Sequence, residues 1–317
     1  MKPKLTRENF KGPWAGIPVA WDSNFQLNEK NYYNDVERCC KAGFPGVYTG
    51  GTTGEFYAMD FEEFKRVSSI TVEVCHKYNV PVMIGCSSTY TIGAIEHAKF
   101  AEQIGADAIQ LTLPFWMEVD DHCVVDFFKD VMAEVHGLVL SIYETTRSKK
   151  VLTLEQHQQI KKAIPNYLMV KANSDTIGDT ITGCRELSKF VNVFVGEDRW
   201  AELGPVGAQG ACASLIYWFP DFTSRLWKSV ESKDWVAVNE GCAAISYLFD
   251  FLGKQFKGRG FTDSAMDKIG GAVCNFLSGG LICRRPYPHG NSDDIQALMG
   301  WCEKNYPEML QYSPKSN

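Results

Sequence analysis

Leu138-Val139-Leu140-Ser141-Ile142-Tyr143, the helical pattern Leu154–Ala163 and then Tyr167-Leu168-Met169-Val170-Lys171 make one strand–helix–strand unit, and this unit decides the fold. Each strand run is short and apolar and ends on a polar side chain, while the segment between them repeats its apolar residues at helical spacing. Parallel neighbours joined in this way need a helical crossover, and such crossovers are right-handed. Working outward, the alternation recurs until it has been met eight times. Strands are expected at Ala15–Trp21, Gly46–Gly50, Val80–Cys86, Ala106–Thr112, Leu138–Tyr143, Tyr167–Lys171, Asn192–Gly196 and Gly210–Ser214. Helices are expected at Tyr32–Lys41, Phe61–His76, Ala94–Ile104, Val124–Val135, Leu154–Ala163 and Thr176–Phe190, with a shorter one at Arg199–Val206. Serial β/α units on this scale point to an α/β fold, a (β/α)8 TIM barrel. An open doubly wound sheet is the alternative. It usually carries fewer strands, and no G-x-G-x-x-G follows the first strand here.

Beyond about residue 222 the strands stop. Thr223–Glu231 opens an all-helical tail, and Trp235–Leu252, Ser264–Leu277 and Ser292–Tyr306 read as three further helices. The expected organisation is therefore a barrel carrying the active site over 1–222 and a C-terminal three-helix extension over 223–317, packed on the barrel. Ile245, Leu248, Phe249 and Leu252 recur at helical spacing and give the first of the three an apolar face to bury. Asp60 and Asp120-Asp121 place acid residues where helices start, and Gly43, Gly105 and Gly137 stand where left-handed caps end them.

The chain has 317 residues, 45% of them hydrophobic and 22% charged, in the range of a globular protein. A net charge of −6 and a pI near 5.6 argue against nucleic acid or an anionic membrane as the main partner. No apolar run reaches the roughly 18 residues that a bilayer requires. The start, Met1-Lys2-Pro3-Lys4-Leu5-Thr6-Arg7-Glu8, has basic residues without an apolar stretch behind them and is not expected to be a secretory signal. Eleven cysteines occur, with no C-x-x-C and no Cys/His cluster at zinc spacing. Free thiols in a reducing cytoplasm fit this usage, and no metal is expected.

In barrel enzymes the reactive groups sit at the C-terminal ends of the strands and in the loops that follow. Three features hold that position. Lys171 puts an amine at the end of an apolar strand, and an amine held neutral is what Schiff-base chemistry needs. Tyr143 puts a phenol at the end of the preceding strand. Gly50-Gly51-Thr52-Thr53-Gly54-Glu55 follows the second strand and leads into a helix, so its amides and threonine hydroxyls suit a small anion. A plain β–α turn with a threonine cap is the other reading of that loop. Asp175 and Glu55 are expected to be solvated or capping.

Gly-Gly-Thr-Thr-Gly-Glu, then Tyr143, then Lys171, together resemble the dihydrodipicolinate synthase/N-acetylneuraminate lyase family, class I aldolase-type enzymes on a (β/α)8 barrel with a helical extension. The resemblance implies that Lys171 forms an imine with pyruvate or another 2-oxo acid, without metal or organic cofactor. It implies that Thr52 and Thr53, with Gly51 beside them, bind the carboxylate, that Tyr143 shuttles the proton with Thr52, and that Cys212 in the eighth strand lines the site near the ketone. It also implies a homotetramer or dimer. Glu197 and Asp198 stand where sugar-acid lyases contact substrate hydroxyls.

Two stretches depart from the synthase pattern: Leu113-Pro114-Phe115-Trp116 replaces Thr-Pro-Tyr-Tyr, and Glu144-Thr145-Thr146-Arg147 replaces Asn-x-Pro-x-Arg. Trp116, with Arg285-Pro286-Tyr287 in the tail, is similar to hydratase-aldolases that cleave aromatic benzylidenepyruvates. The expected function is thus a pyruvate-type lyase or aldolase that cleaves, or condenses, pyruvate and an aldehyde. The alternatives are a dihydrodipicolinate synthase-like condensing enzyme, a deoxy-keto sugar acid dehydratase, and a non-enzymatic 2-oxo acid-binding sensor or scaffold.

Overall fold

The computed structural model describes residues 4–313. In chain order the elements are β1 (Gly12–Gly16), α1 (Glu29–Lys41), β2 (Val47–Thr49), α2 (Phe61–Lys77), β3 (Val82–Gly85), α3 (Thr91–Gln103), β4 (Ala108–Leu111) and α4 (Asp121–Ala133). They continue with β5 (Val139–Tyr143), α5 (Leu154–Ala163), β6 (Tyr167–Lys171), α6 (Ile181–Leu187), β7 (Asn192–Phe194), α7 (Trp200–Leu203) and β8 (Ala208–Ala213). The tail carries α8 (Leu215–Trp218), α9 (Pro220–Ser232), α10 (Trp235–Gln255), α11 (Asp263–Val273) and α12 (Ser292–Asn305). The strands follow one another from β1 to β8 in a closed barrel, the expected TIM architecture.

By its contacts the chain comprises two compact units. One holds the described residues up to Gly12 and Pro81–Cys212, the other Pro13–Val80 and the described residues from Ala213 on. In the first, β3 to β8 pair in parallel, each with the next. In the second, β1 pairs with β2 in parallel. β3, β4 and β5 are buried at every residue, as strands covered on both faces must be.

Register and boundaries follow from local chemistry. β1 ends at Gly16 instead of running to Trp21: Ile17 makes the last amide bond to β2, to Tyr48, and Pro18 has no N–H to continue the ladder. The single helix expected over Thr176–Phe190 is split, because the Thr180 hydroxyl accepts from Gly183 and caps α6 afresh after a 3-10 turn at Ile177–Asp179. Gly204 and Pro205 likewise stop α7 after one turn, leaving a 3-10 turn at Gly204–Val206.

Asp60 caps α2 in a reciprocal box with Glu63, and Asp120 caps α4. Gly43 and Gly105 adopt the left-handed backbone expected of them; Gly137 does not. α10 buries Ile245, Leu248 and Leu252 but leaves Phe249 39% exposed, so the apolar face is narrower than its sequence spacing indicates. No described helix is long and apolar enough to cross a membrane.

Candidate active site

Tyr143 and Lys171 are the last residues of β5 and β6 and are partners in register, so their side chains leave the same face of the sheet. Lys171 Nζ lies 4.2 Å from the centroid of the Tyr143 ring. Tyr143 is buried and Lys171 half-buried, so the lysine is less enclosed than the run Tyr167–Val170 alone indicates. Its place as the final strand residue lets the end of the chain escape the packed layer. Arg147 Nη1 donates to the Tyr143 hydroxyl at 3.4 Å, so the arginine displaced by one position still reaches the phenol.

One layer below, Ser141 and Met169, two residues before Tyr143 and Lys171, join Gln110 of β4 and the half-buried Cys212 of β8 in a row across the interior. Gln110 Nε2 donates to Ser141 Oγ at 3.3 Å and approaches Cys212 Sγ at 3.8 Å, and Ser141 Oγ donates to Met169 Sδ at 3.3 Å. Burial pushes the Cys212 thiol up from its ordinary value, while the Lys171 cation pulls the other way. Cys212 is therefore held as a thiol: a small, soft wall.

Immediately after Tyr143, Glu144 turns into a second buried cluster. Its Oε1 accepts from the Leu152 amide at 2.8 Å, and its Oε2 lies 3.2 Å from His157 Nε2, too poorly aligned for a hydrogen bond. His157 Nδ1 is 2.9 Å from the Tyr167 hydroxyl. Burial, with Glu144 nearby, pushes the Tyr167 phenol well up, so it stays protonated. The cluster ties the end of β5 to the start of β6. Nothing in the sequence spacing of these three residues marked it out.

Glu197 and Asp198 lie in a 3-10 turn, Glu197–Arg199, directly after β7 and Gly196. Glu197 is buried, and burial raises the Asp198 carboxyl above its ordinary value. Arg199 Nε donates to Asp179 at 3.1 Å. Trp116, in the loop after β4, is 74% exposed, with the Lys149 ammonium 5.7 Å from its ring and bonded to its carbonyl.

The loop after β2 belongs to the other unit. Gly50 takes a positive φ of 74°, and Gly51 packs so closely that a Cβ there would meet the Tyr48 ring at 2.7 Å. The Thr53 hydroxyl donates to Asp267 Oδ2 at 2.6 Å, and the Thr52 carbonyl accepts from Ser264 Oγ at 2.9 Å. Glu55 is neither solvated nor a cap, contrary to expectation. It is fully buried and pairs with Lys268 Nζ at 2.5 Å. Among the described residues no group of three or more His, Cys, Asp or Glu side chains is placed to hold a metal.

The sequence matches the Dihydrodipicolinate synthetase family over residues 9–255. A 4-hydroxy-tetrahydrodipicolinate synthase of Thermodesulfovibrio yellowstonii is 27% identical over 226 residues, which are 71% of this chain and 77% of that one. The enzyme of the same name from Bartonella henselae is 32% identical over 163 residues, 51% of this chain and 55% of that one. In fold, the chain is similar to a solved sialic acid aldolase of Ruminococcus gnavus, a catalytic lysine mutant, with a TM-score of 0.82 at 19% identity over 97% of both chains.

Proposed function

Because the chain belongs to the Dihydrodipicolinate synthetase family, a family of metal-independent Schiff-base lyases, we propose that it joins or cleaves a 2-oxo acid and an aldehyde through an imine on Lys171. The observation that carries this reading is the pairing of Lys171 with Tyr143, amine against phenol, at the ends of β5 and β6.

The chemistry follows from those two groups. The neutral Lys171 amine adds to the C2 carbonyl of the 2-oxo acid, the Tyr143 phenol gives its proton to the departing hydroxyl, and loss of water leaves a protonated imine beside the Tyr143 phenolate. A free lysine, with a pKa of about 10.4, is neutral in only a few molecules per ten thousand near pH 7. A less solvated amine is neutral more often. In the cleavage direction the Tyr143 phenolate takes the proton from the C4 hydroxyl of a 4-hydroxy-2-oxo acid. The C3–C4 bond breaks, the aldehyde departs, the bonding pair forms the C2=C3 double bond of an enamine, and the C=N pair of the imine moves onto the nitrogen. Tyr143 returns the proton to C3, with the Thr52 hydroxyl in the relay, and water releases pyruvate from Lys171.

In this reading the substrate carboxylate is held by the Thr52 hydroxyl and the amides around Gly51 and Thr53. Thr53 contributes through its backbone, since its hydroxyl proton goes to Asp267. Cys212 lines the ketone end, Glu197 and Asp198 meet hydroxyls on the aldehyde half, and Trp116 meets an aromatic aldehyde in a hydratase-aldolase. Condensation in the manner of the synthases is the second reading, favoured by the names of the relatives above. Against it stand Phe115-Trp116 and the absence of proline from Glu144-Thr145-Thr146-Arg147. A cytoplasmic homotetramer or dimer completes the proposal.

The test is intact mass after incubation with pyruvate and borohydride, on the wild type and on Lys171→Ala. One reduced pyruvate adduct, absent from the variant, is the expected result. A wild type that takes up no adduct from pyruvate or a panel of 2-oxo acids would sink the reading and leave a sensor or scaffold.

A further inference from the structure

Ser264, Asp267 and Lys268 stand three and four residues apart on α11 and so share one face of that helix. Each meets a different residue of the loop after β2. Ser264 donates to the Thr52 carbonyl, Asp267 accepts from the Thr53 hydroxyl, and Lys268 donates to the Glu55 carboxylate. Glu55 Oε2 also accepts from the Arg284 amide at 2.9 Å, and Lys268 also donates to the Ile282 carbonyl at 2.6 Å.

Every side chain in this set that carries a charge is buried: Glu55 is 0%, Lys268 3% and Asp267 6% exposed. Placing ions there is costly unless they are paired and bonded; here Glu55 and Lys268 pair with each other, and Asp267 accepts from the Thr53 hydroxyl. Glu55 itself sits at φ 52°, a left-handed conformation that a non-glycine residue keeps only when its surroundings over-determine it.

We propose that this face of α11 is a positioning device for the anion-binding loop. Its three contacts fix the Thr52 carbonyl, the Thr53 hydroxyl and the Glu55 carboxylate before any ligand arrives. The peptide units between them then hold their N–H groups at angles set in advance. A loop ordered beforehand loses less entropy on capturing an anion, and that saving appears as affinity. The inference rests on the reading that this loop holds the 2-oxo acid carboxylate. Ser264, Asp267 and Lys268 act through the loop and are positioning residues.

The experiment uses full-length Ser264→Ala, Asp267→Ala and Ser264→Thr, the last of which keeps the hydroxyl. Two quantities are read on folded protein: the pyruvate concentration giving half-maximal borohydride trapping, and amide hydrogen exchange over residues 51–56. The two alanine variants are expected to raise half-saturation about three- to tenfold, the effect of one lost hydrogen bond, with the maximal trapping rate unchanged. They should speed exchange at 51–56 and leave β5 and β6 as they were, while Ser264→Thr behaves as the wild type.

Folded alanine variants with half-saturation within twofold of wild type would overturn the proposal. If the wild type itself takes no 2-oxo acid, the functional reading falls separately. Exchange at 51–56 then decides alone, and unchanged exchange in both alanine variants rejects the positioning role.

Discussion

The Lys171 ammonium sits over the Tyr143 ring, 4.2 Å from its centroid, because the two residues are register partners on neighbouring parallel strands. A one-residue slip of either strand would turn one side chain to the opposite face. The buried Glu144–His157–Tyr167 cluster joins the same two strands and opposes such a slip.

Tyr143→Phe keeps the ring beneath Lys171 and removes only the hydroxyl. Turnover on a 4-hydroxy-2-oxo acid should fall about 10²- to 10⁴-fold, the usual contribution of a positioned proton donor. Borohydride should still trap an adduct on Lys171. Turnover within tenfold of wild type would remove Tyr143 from the proton path.

Lys268→Met leaves the Glu55 carboxylate buried without its cation. The expected loss is about 3–5 kcal/mol of stability, read from urea denaturation midpoints. Adding Glu55→Gln to the same chain should recover part of that loss, since the uncompensated charge is then gone. A double variant no more stable than Lys268→Met would show that the charge is not the cause.

Glu63 bonds to the Arg284 guanidinium, which is the main reason its carboxyl lies below its ordinary value of 4.5. The folded protein therefore keeps Glu63 ionised to lower pH than the unfolded chain does. The stability it contributes is complete above 4.5 and is lost as pH falls through the lower folded value. The gap in Tm between wild type and Glu63→Gln should be widest near neutrality and should close as the pH falls through the lowered folded value. A gap that widens on acidification would contradict the pairing.

Trp116→Ala should leave stability within about 0.5 kcal/mol, because the side chain is largely in solvent. In a hydratase-aldolase the same change should raise KM for an aromatic benzylidenepyruvate several-fold and leave pyruvate half-saturation unchanged. Steady-state kinetics on aromatic and aliphatic substrates would separate the cases. Equal effects on both would make Trp116 an ordinary surface aromatic.

The parts of the fold that could be read from the sequence are those set by neighbours in the chain. Tyr167–Lys171 and Leu154–Ala163 were legible to the residue, because an apolar run or a capped helical repeat carries its own boundaries. β1 was misplaced because Ile17–Trp21 is as buried as a strand, although Pro18 denies it the ladder. The residues after β6 looked like one helix because Gly178 and Thr180 are neutral in composition and decisive only in cap geometry.

In the candidate site, the strand-end residues announced themselves by placing a polar group at the close of an apolar run. Glu55 did not. Its partner Lys268 is 213 residues away, and an acid after a glycine reads as solvated until the fold brings that lysine to it. Asp267 and Ser264 were hidden for the same reason: they lie within an expected helix, and its apolar spacing says nothing of a polar face turned inward.

The three contacts of α11 depend on helical phase. Inserting one residue between Ser264 and Asp267 would advance Asp267 and Lys268 by about 100° around the helix axis and carry them off the loop while Ser264 stayed. Lengthening the segment 256–262, before the helix begins, leaves that phase untouched. Length changes should therefore be tolerated just ahead of α11 and rejected within its first two turns.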